Sequence, residues 1–195
     1  MRLLQLFLIL SFNMNAQNNN LPFFEISSEK NHYTSVNIIY RLIEGVGYRY
    51  YWASKDLKKK DLDYKPSSSS ISSYETLEHI YVLSETIMNS ALNKVNNRPT
   101  EKTPKSYNEL REGTLMNLQK FNDIILSKNE DDLKRIKINF NRGGREASFP
   151  FWNLLNGQIA DMIYHTGQIV SFRRTTGNPI QKGVNVFLGK TKTLN

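Results

Sequence analysis

The stretch from Pro150 to Phe172 constrains the fold of this chain most strongly, because Asp161 is its only formally charged residue when histidine is taken as neutral. A helix with so few charges has no ordinary solvated face, so we expect it to be buried nearly all round among other helices. Proline is favoured in the first turn of a helix, and we predict this helix over Phe151 to about Phe172. At about 100° per residue, one side of it carries an apolar stripe of Trp152, Leu155, Ile159, Ile163 and Val170. The opposite side carries Gln158, Asp161, His165 and Gln168.

Three further helices are predicted from start signals and apolar spacing. The first runs from about Thr34 to Ser54, with Thr34 or Ser35 as its N-cap. The second begins at the capping box Ser72–Glu75 and extends to about Lys94. The third begins at a similar capping box, Ser106–Glu109, and ends near Ser127. Four long helices joined by connections of ordinary to moderate length predict an all-α four-helix bundle.

A small β-hairpin is predicted just before the last helix. Residues Arg135–Phe140 alternate polar and apolar, Asn141–Gly144 have turn chemistry, and Arg145–Phe149 form the returning strand. After the last helix we expect an extended C-terminal tail with one short strand near Val184–Leu188. The segment Asn96–Pro104, between the second and third helices, is interpreted as a turn-rich linker.

Chain length and composition fit one globular domain. The 195 residues are 39% apolar, which is enough for one sizeable core and too little for two ordinary domains. The chain has no cysteine, which excludes disulfides, iron–sulfur clusters, thiolate zinc sites and a cysteine nucleophile. Any bound metal must therefore be held by His, Asp or Glu side chains.

The N-terminus has the three-part pattern of a secretory signal peptide. Arg2 is followed by an apolar run, Leu3–Phe12, and then by a polar end with a small residue at Ala16. We predict that residues 1–16 are a signal peptide and that residues 17–195 form an exported domain, periplasmic or secreted; the alternative is an N-terminal core helix. After its removal we expect no integral membrane segment. An exported protein rarely meets nucleic acid, so the net charge of +8 does not indicate a nucleic-acid partner.

Three side chains are candidates for one metal site. Asp161 and His165 are four residues apart on one helix, so they stack one turn apart and can reach one ion. The alternative is a neutral His165 that hydrogen-bonds Asp161 within a polar layer. A third ligand would come from His79, because it points away from the apolar stripe of the second helix and must face solvent or another helix.

Three segments resemble the DinB-like superfamily, also called DinB/YfiT-like metalloenzymes. They are Tyr164–Ile169, Pro150–Leu155 and Glu75–Ile80, and the resemblance covers about residues 34–172. It implies a four-helix bundle that holds one divalent metal on one side chain of the second helix and two of the last helix. These positions correspond here to His79, Asp161 and His165, with Asp161 where the family usually has histidine.

The resemblance also bears on the ion and its surroundings. It implies zinc or nickel as the ion, with manganese or iron as further candidates, since a carboxylate ligand shifts preference toward harder ions. Gln168, one turn beyond His165, could orient a ligand, or could simply make a hydrogen bond within the bundle. Tyr48, Tyr51 and Trp52 could wall a pocket, although an aromatic cluster on a helix is more often core.

The predicted function is metal-dependent chemistry on a small molecule whose identity the sequence does not give. The superfamily includes hydrolases and thiol S-transferases, and three protein ligands leave a position open as in catalytic sites. The alternative is a non-catalytic envelope or stress-associated protein that binds a metal or ligand. Relatives in the superfamily suggest a homodimer.

Overall fold

The computed structural model describes residues 21–28, 30–100 and 103–192, so the predicted signal peptide lies outside the described residues. The described chain is mostly helical, with small β elements. In chain order its elements are α1 (Ser35–Ser54), α2 (Lys59–Leu62), α3 (Ser73–Ala91), β1 (Val95–Arg98), α4 (Tyr107–Leu126), α5 (Glu130–Arg135), β2 (Lys137–Arg142), β3 (Arg145–Pro150), α6 (Trp152–Leu154), a π-helical segment (Leu155–Ile159), α7 (Ala160–Thr175), β4 (Val184–Asn185) and β5 (Lys190–Thr191). None of the helices in the described ranges is long and apolar enough to cross a membrane.

The first three long helices begin where the sequence predicts. Thr34 caps α1, and the capping boxes at Ser72 and Ser106 begin α3 and α4, each with both hydrogen bonds formed. Helix α3 ends at Ala91, three residues before the predicted end at Lys94, because the chain turns there and Asn93 adopts a φ of 53°.

The long helices pack side by side in a closed ring. Helix α1 contacts α4 and α7, and α3 contacts the same two helices from the other side. The buried apolar side chains of all four fill the space between them. Fully or almost fully buried members of this core include Ile43, Tyr48, Leu77, Ile80, Leu115, Phe121, Met162 and Ile169.

The described residues form a three-stranded sheet where only a hairpin is predicted. The hairpin is present: β2 pairs antiparallel with β3, so that Pro150 ends a strand instead of standing in the first turn of a helix. The third strand, β1, lies within the segment interpreted as a turn-rich linker and pairs parallel with β2. Its buried Asn96 donates a hydrogen bond to the carbonyl of Asn139. The polar sequence of β1 gives no strand signal. The strand forms because the fold brings it beside β2, whose paired residues lie about 44 positions further along the chain.

The prediction that the last helix is buried nearly all round is wrong. Its Trp152 is 74% exposed, and Ile163 and Tyr164 are exposed as well. The side that faces the core consists of Leu154, Ile159, Met162, Thr166, Ile169 and Arg173. The exposed side carries small, neutral residues such as Ala160 and Gly167 in place of charged ones. A lack of charged residues in this helix therefore does not imply burial.

A buried polar network ties the C-terminal end of α7 to α1 and α2. The guanidinium of Arg173 is almost fully buried and donates to the carbonyls of Trp52 and Ala53, which lie near the end of α1. Beside it, burial raises the pKa of Asp61, but hydrogen bonds from Thr176, the backbone of Lys58 and Asn178 outweigh that effect. The net result is that the pKa of Asp61 lies below its usual value.

The C-terminal tail forms a hairpin instead of the single predicted strand. Strands β4 and β5 pair antiparallel around a short turn, and the second of them is hydrogen-bonded to a side chain of α1. The phenolic oxygen of the buried Tyr48 donates to the carbonyl of Lys190, at 2.8 Å. This hydrogen bond attaches β5 to the helical core.

Candidate metal centre

Helices α3 and α7 bring His79, Asp161 and His165 together. His79 lies in the second turn of α3, and the capping box at Ser72 fixes where that helix begins. Asp161 and His165 lie one turn apart on α7. The Nε2 atom of His79 is 3.1 Å from Oδ2 of Asp161, and the Nε2 atom of His165 is 3.3 Å from Oδ1 of the same carboxylate. The two imidazole rings meet edge to face with their centroids 4.6 Å apart.

Gln168 holds the ring of His165 from the other side. Its Oε1 atom lies 2.7 Å from Nδ1 of His165, one turn further along α7. An amide oxygen only accepts hydrogen bonds, so with the Gln168 amide in this orientation Nδ1 of His165 is the donor. In a neutral His165 the lone pair then lies on Nε2, which is 3.3 Å from Oδ1 of Asp161.

Asp161 makes a hydrogen bond with only one of the two imidazoles. Nε2 of His79 has hydrogen-bonding geometry toward Oδ2 of Asp161, whereas Nε2 of His165 lies 3.3 Å from Oδ1 without the alignment of a hydrogen bond. A cation held between the carboxylate and the two imidazoles would interact favourably with all three groups. The cluster therefore has the donor set of a cation site.

The three donors fit one metal ion. One ligand atom from each of His79, Asp161 and His165 can be chosen so that all lie within 4.8 Å of one another. Donors about 2.0–2.1 Å from a tetrahedral zinc ion lie about 3.3 Å from each other, so only small side-chain movements are needed. His165 is the most enclosed, with its side chain 15% exposed, whereas the side chains of His79 and Asp161 are 42% and 43% exposed. The open side faces solvent and leaves room for a further ligand.

An open cleft of about 950 Å³ adjoins the cluster at His79. One wall is α3, including Tyr81, Val82 and Glu85, and the other is β1 with the residues that follow it, including Arg98. Burial and the neighbouring carboxylate of Glu85 raise the pKa of Tyr81 to about 12, so its phenol stays neutral. The cleft therefore offers both signs of charge and an aromatic surface beside the cluster.

The predicted pocket aromatics lie elsewhere. Tyr48, Tyr51 and Trp52 are buried in the core against one another and Phe24, and they are not among the residues that line the cleft. They line no pocket at the site because their helix face turns inward. The aromatic side chain beside the cluster is instead Tyr164, whose ring centroid is 5.2 Å from that of His165.

Sequence reasoning missed the cleft because half of it comes from β1. Arg98 reaches the cleft wall only because β1 pairs with β2, and no local pattern signals that pairing. Tyr164 could have been found from its position directly before His165 in the sequence.

Comparison with known proteins places the chain in a family. The model of the DinB family matches residues 31–182, and the chain belongs to this family. Among solved structures, it is similar to a DinB-like protein from Bacillus subtilis, with a TM-score of 0.54 and 20% sequence identity over 72% of this chain and 92% of that chain. At this identity the similarity concerns the fold alone. No curated protein matches the chain.

Proposed function

We propose that the protein binds one divalent transition-metal ion through Nε2 of His79, the carboxylate of Asp161 and Nε2 of His165. The observation that carries the proposal is the convergence of these three donors from two packed helices. Zinc or nickel suits the two imidazoles best, and the carboxylate also admits manganese or iron. The rival arrangement, a neutral His165 that hydrogen-bonds Asp161 within a polar layer, would need no metal.

We also propose that the ring of α1, α3, α4 and α7 is the four-helix bundle of the family. The supporting observation is that each of these helices contacts two of the other three. In such bundles metal sites are built from side chains on facing helices, as α3 and α7 are here.

The proposed activity is metal-dependent hydrolysis or group transfer on a small molecule bound in the cleft beside His79. When bound, a divalent ion supplies Lewis-acid activation of a substrate oxygen or thiol. The protein's own groups position the reaction: Gln168 holds the ring of His165, and Arg98 and Glu85 supply charges that can orient a polar substrate. The volume of the cleft, about 950 Å³, is large enough for such a molecule.

The solvent exposure of the cluster favours a second candidate function, a non-catalytic metal- or ligand-binding protein. His79 and Asp161 are each more than two-fifths exposed, whereas catalytic sites gain from excluding water. A screen of ester, amide and thiol-transfer substrates separates the two functions. A rate that depends on both metal and His165 supports the enzyme, and metal binding without such a rate supports the binding protein.

Metal binding itself is tested first. Protein purified without nickel affinity resin should contain or take up one equivalent of metal, measured by elemental analysis and titration. His79→Ala, Asp161→Ala and His165→Ala should each abolish stoichiometric binding. His32→Ala is the matched control, since His32 is exposed and lies outside the cluster. Full binding by all three variants would refute the proposal.

Two further proposals concern partners and location. We propose a homodimer through the exposed side of the last helix, because its Trp152, Ile163 and Tyr164 are uncharged and so avoid repulsion between two copies of a chain with net charge +8. Sedimentation of a Trp152→Lys variant as a monomer, against a dimeric parent, would support it, and a monomeric parent would refute it.

We also propose export through a signal peptide over residues 1–16, on the sequence pattern alone.

A further inference from the structure

The turn between β4 and β5 presents three consecutive apolar side chains to solvent. Val186, Phe187 and Leu188 are all exposed, and Phe187 is 92% exposed. Large apolar side chains are scattered singly on most protein surfaces, but three in sequence at the tip of a hairpin form a local patch. We call these three residues the hairpin tip.

The hairpin tip is held in place by hydrogen bonds and packing. The side chain of Asn185 accepts from the backbone N–H groups of Phe187 and Leu188, at 3.1 and 3.0 Å. The carbonyl of Gly189 accepts from the N–H of Ile26, which anchors the turn to the N-terminal segment. The exposure of Phe187 is therefore built into an ordered turn.

A groove next to the hairpin tip extends the apolar patch. It has a volume of about 530 Å³ and lies between the tip and the residues before and within the start of α1. Tyr33, which is 93% exposed, and the exposed Ile38 lie on its other side. Solvent-exposed apolar side chains therefore lie on both sides of the groove.

The charged side chains that line the groove are basic. Its lining includes Lys30, Arg41 and Lys190, and none of the lining residues that the structure describes is acidic. Arg41 forms an ion pair with Glu44 at 3.6 Å and Lys190 forms one with Glu25 at 2.8 Å, and both pairs reduce the positive charge of the groove. The sequence places two more lysines, at positions 182 and 192, on either side of the hairpin.

We propose that the hairpin tip and the groove form a docking surface for an anionic phospholipid bilayer. Apolar and aromatic side chains enter the boundary between headgroups and acyl chains, and nearby lysines are attracted to anionic headgroups. Charge complementarity selects this partner over a second copy of the chain, because two copies would bring positive surfaces together. The attachment is peripheral, through a few inserted side chains.

Flotation with lipid vesicles tests the proposal on the full chain. Vesicles of equal parts phosphatidylglycerol and phosphatidylcholine should carry the protein upward, whereas pure phosphatidylcholine vesicles should carry much less. Phe187→Ser with Leu188→Ser should weaken the partitioning by at least about tenfold, since each change removes a large apolar group from the membrane. Met116→Ser with Leu126→Ser, two exposed apolar residues of α4, is the matched control and should bind like the parent.

Each other outcome overturns the proposal. Equal binding by the hairpin-tip variant and the parent would show that general charge attraction suffices. Failure of the folded parent to bind anionic vesicles would exclude a membrane role for the hairpin tip. Loss of a dimer in the hairpin-tip variant, with no vesicle binding by the parent, would identify a second copy as the occupant. Far-UV circular dichroism of each variant establishes that it is folded.

Discussion

Replacing Gln168 with leucine should weaken metal binding without unfolding the protein. Leucine has a similar size but cannot accept the hydrogen bond that Nδ1 of His165 donates at 2.7 Å. The ring of His165 then loses the contact that fixes its orientation and its protonated nitrogen. Hydrogen bonds of this kind to metal-bound histidine are worth about 10- to 100-fold in affinity, which is about 1.4–2.7 kcal/mol.

The assay is a competition titration with zinc and a chromophoric chelator at neutral pH. Gln168→Glu keeps an acceptor in place, so it should retain the affinity or raise it. Gln119→Leu makes the same chemical change on α4, where Gln119 donates a hydrogen bond to the exposed Asp123, and it should not alter the affinity. A Gln168→Leu variant that is folded and binds zinc within twofold of the parent would refute the role assigned to this residue.

Four further outcomes are expected. Arg173→Met should lower the free energy of unfolding by about 3 kcal/mol in urea titrations, because it strips the buried carbonyls at the end of α1 of their donor. The pKa of Asp61 is lowered in the folded state, so its contribution to stability is complete above about pH 4 and is lost as pH falls through the folded pKa. In urea titrations, the free energy of unfolding of Asp61→Asn should therefore depend less on pH in that range. Gly189→Ala should reduce the melting temperature, since its φ is +64° and an added Cβ would lie 2.5 Å from the side chain of Ile26. Terminal sequencing of protein from the native host should begin near Gln17, and an intact Met1 in the cell-envelope fraction would contradict export.

Local signals in the sequence predict the helix starts well. The capping boxes at Ser72 and Ser106 determine where α3 and α4 begin, because all the atoms involved lie within four residues of each other. Pairing between distant segments could not be predicted in the same way. Strand β1 exists only because β2 lies beside it, and its own polar sequence does not favour a strand.

In the candidate site, too, local spacing predicts some features, whereas others depend on pairing between distant segments. The spacing of Asp161 and His165 predicts their closeness. The position of His79 off the apolar stripe of its helix left solvent or another helix as its surroundings, and in the structure its Nε2 lies 3.1 Å from Asp161 of α7. The walls of the cleft depend on β1, so the sequence could not place Arg98 there. The aromatic run at Tyr48 was ambiguous between core and pocket, and the structure places it in the core, since burial depends on neighbours that the run itself does not reveal.

The π-helical segment Leu155–Ile159 affects how this chain should be aligned with its relatives. A π turn contains about one residue more than an α turn, so a relative whose last helix is α throughout spans the same distance with one residue fewer. A correct alignment then needs a one-residue gap between Leu154 and Ala160. Without that gap, every position before the segment is compared with a neighbour turned by about 100° around the helix, and the exposed Trp152 would be matched to the wrong side. Evolutionary conservation at the start of this helix is meaningful only after the gap has been placed.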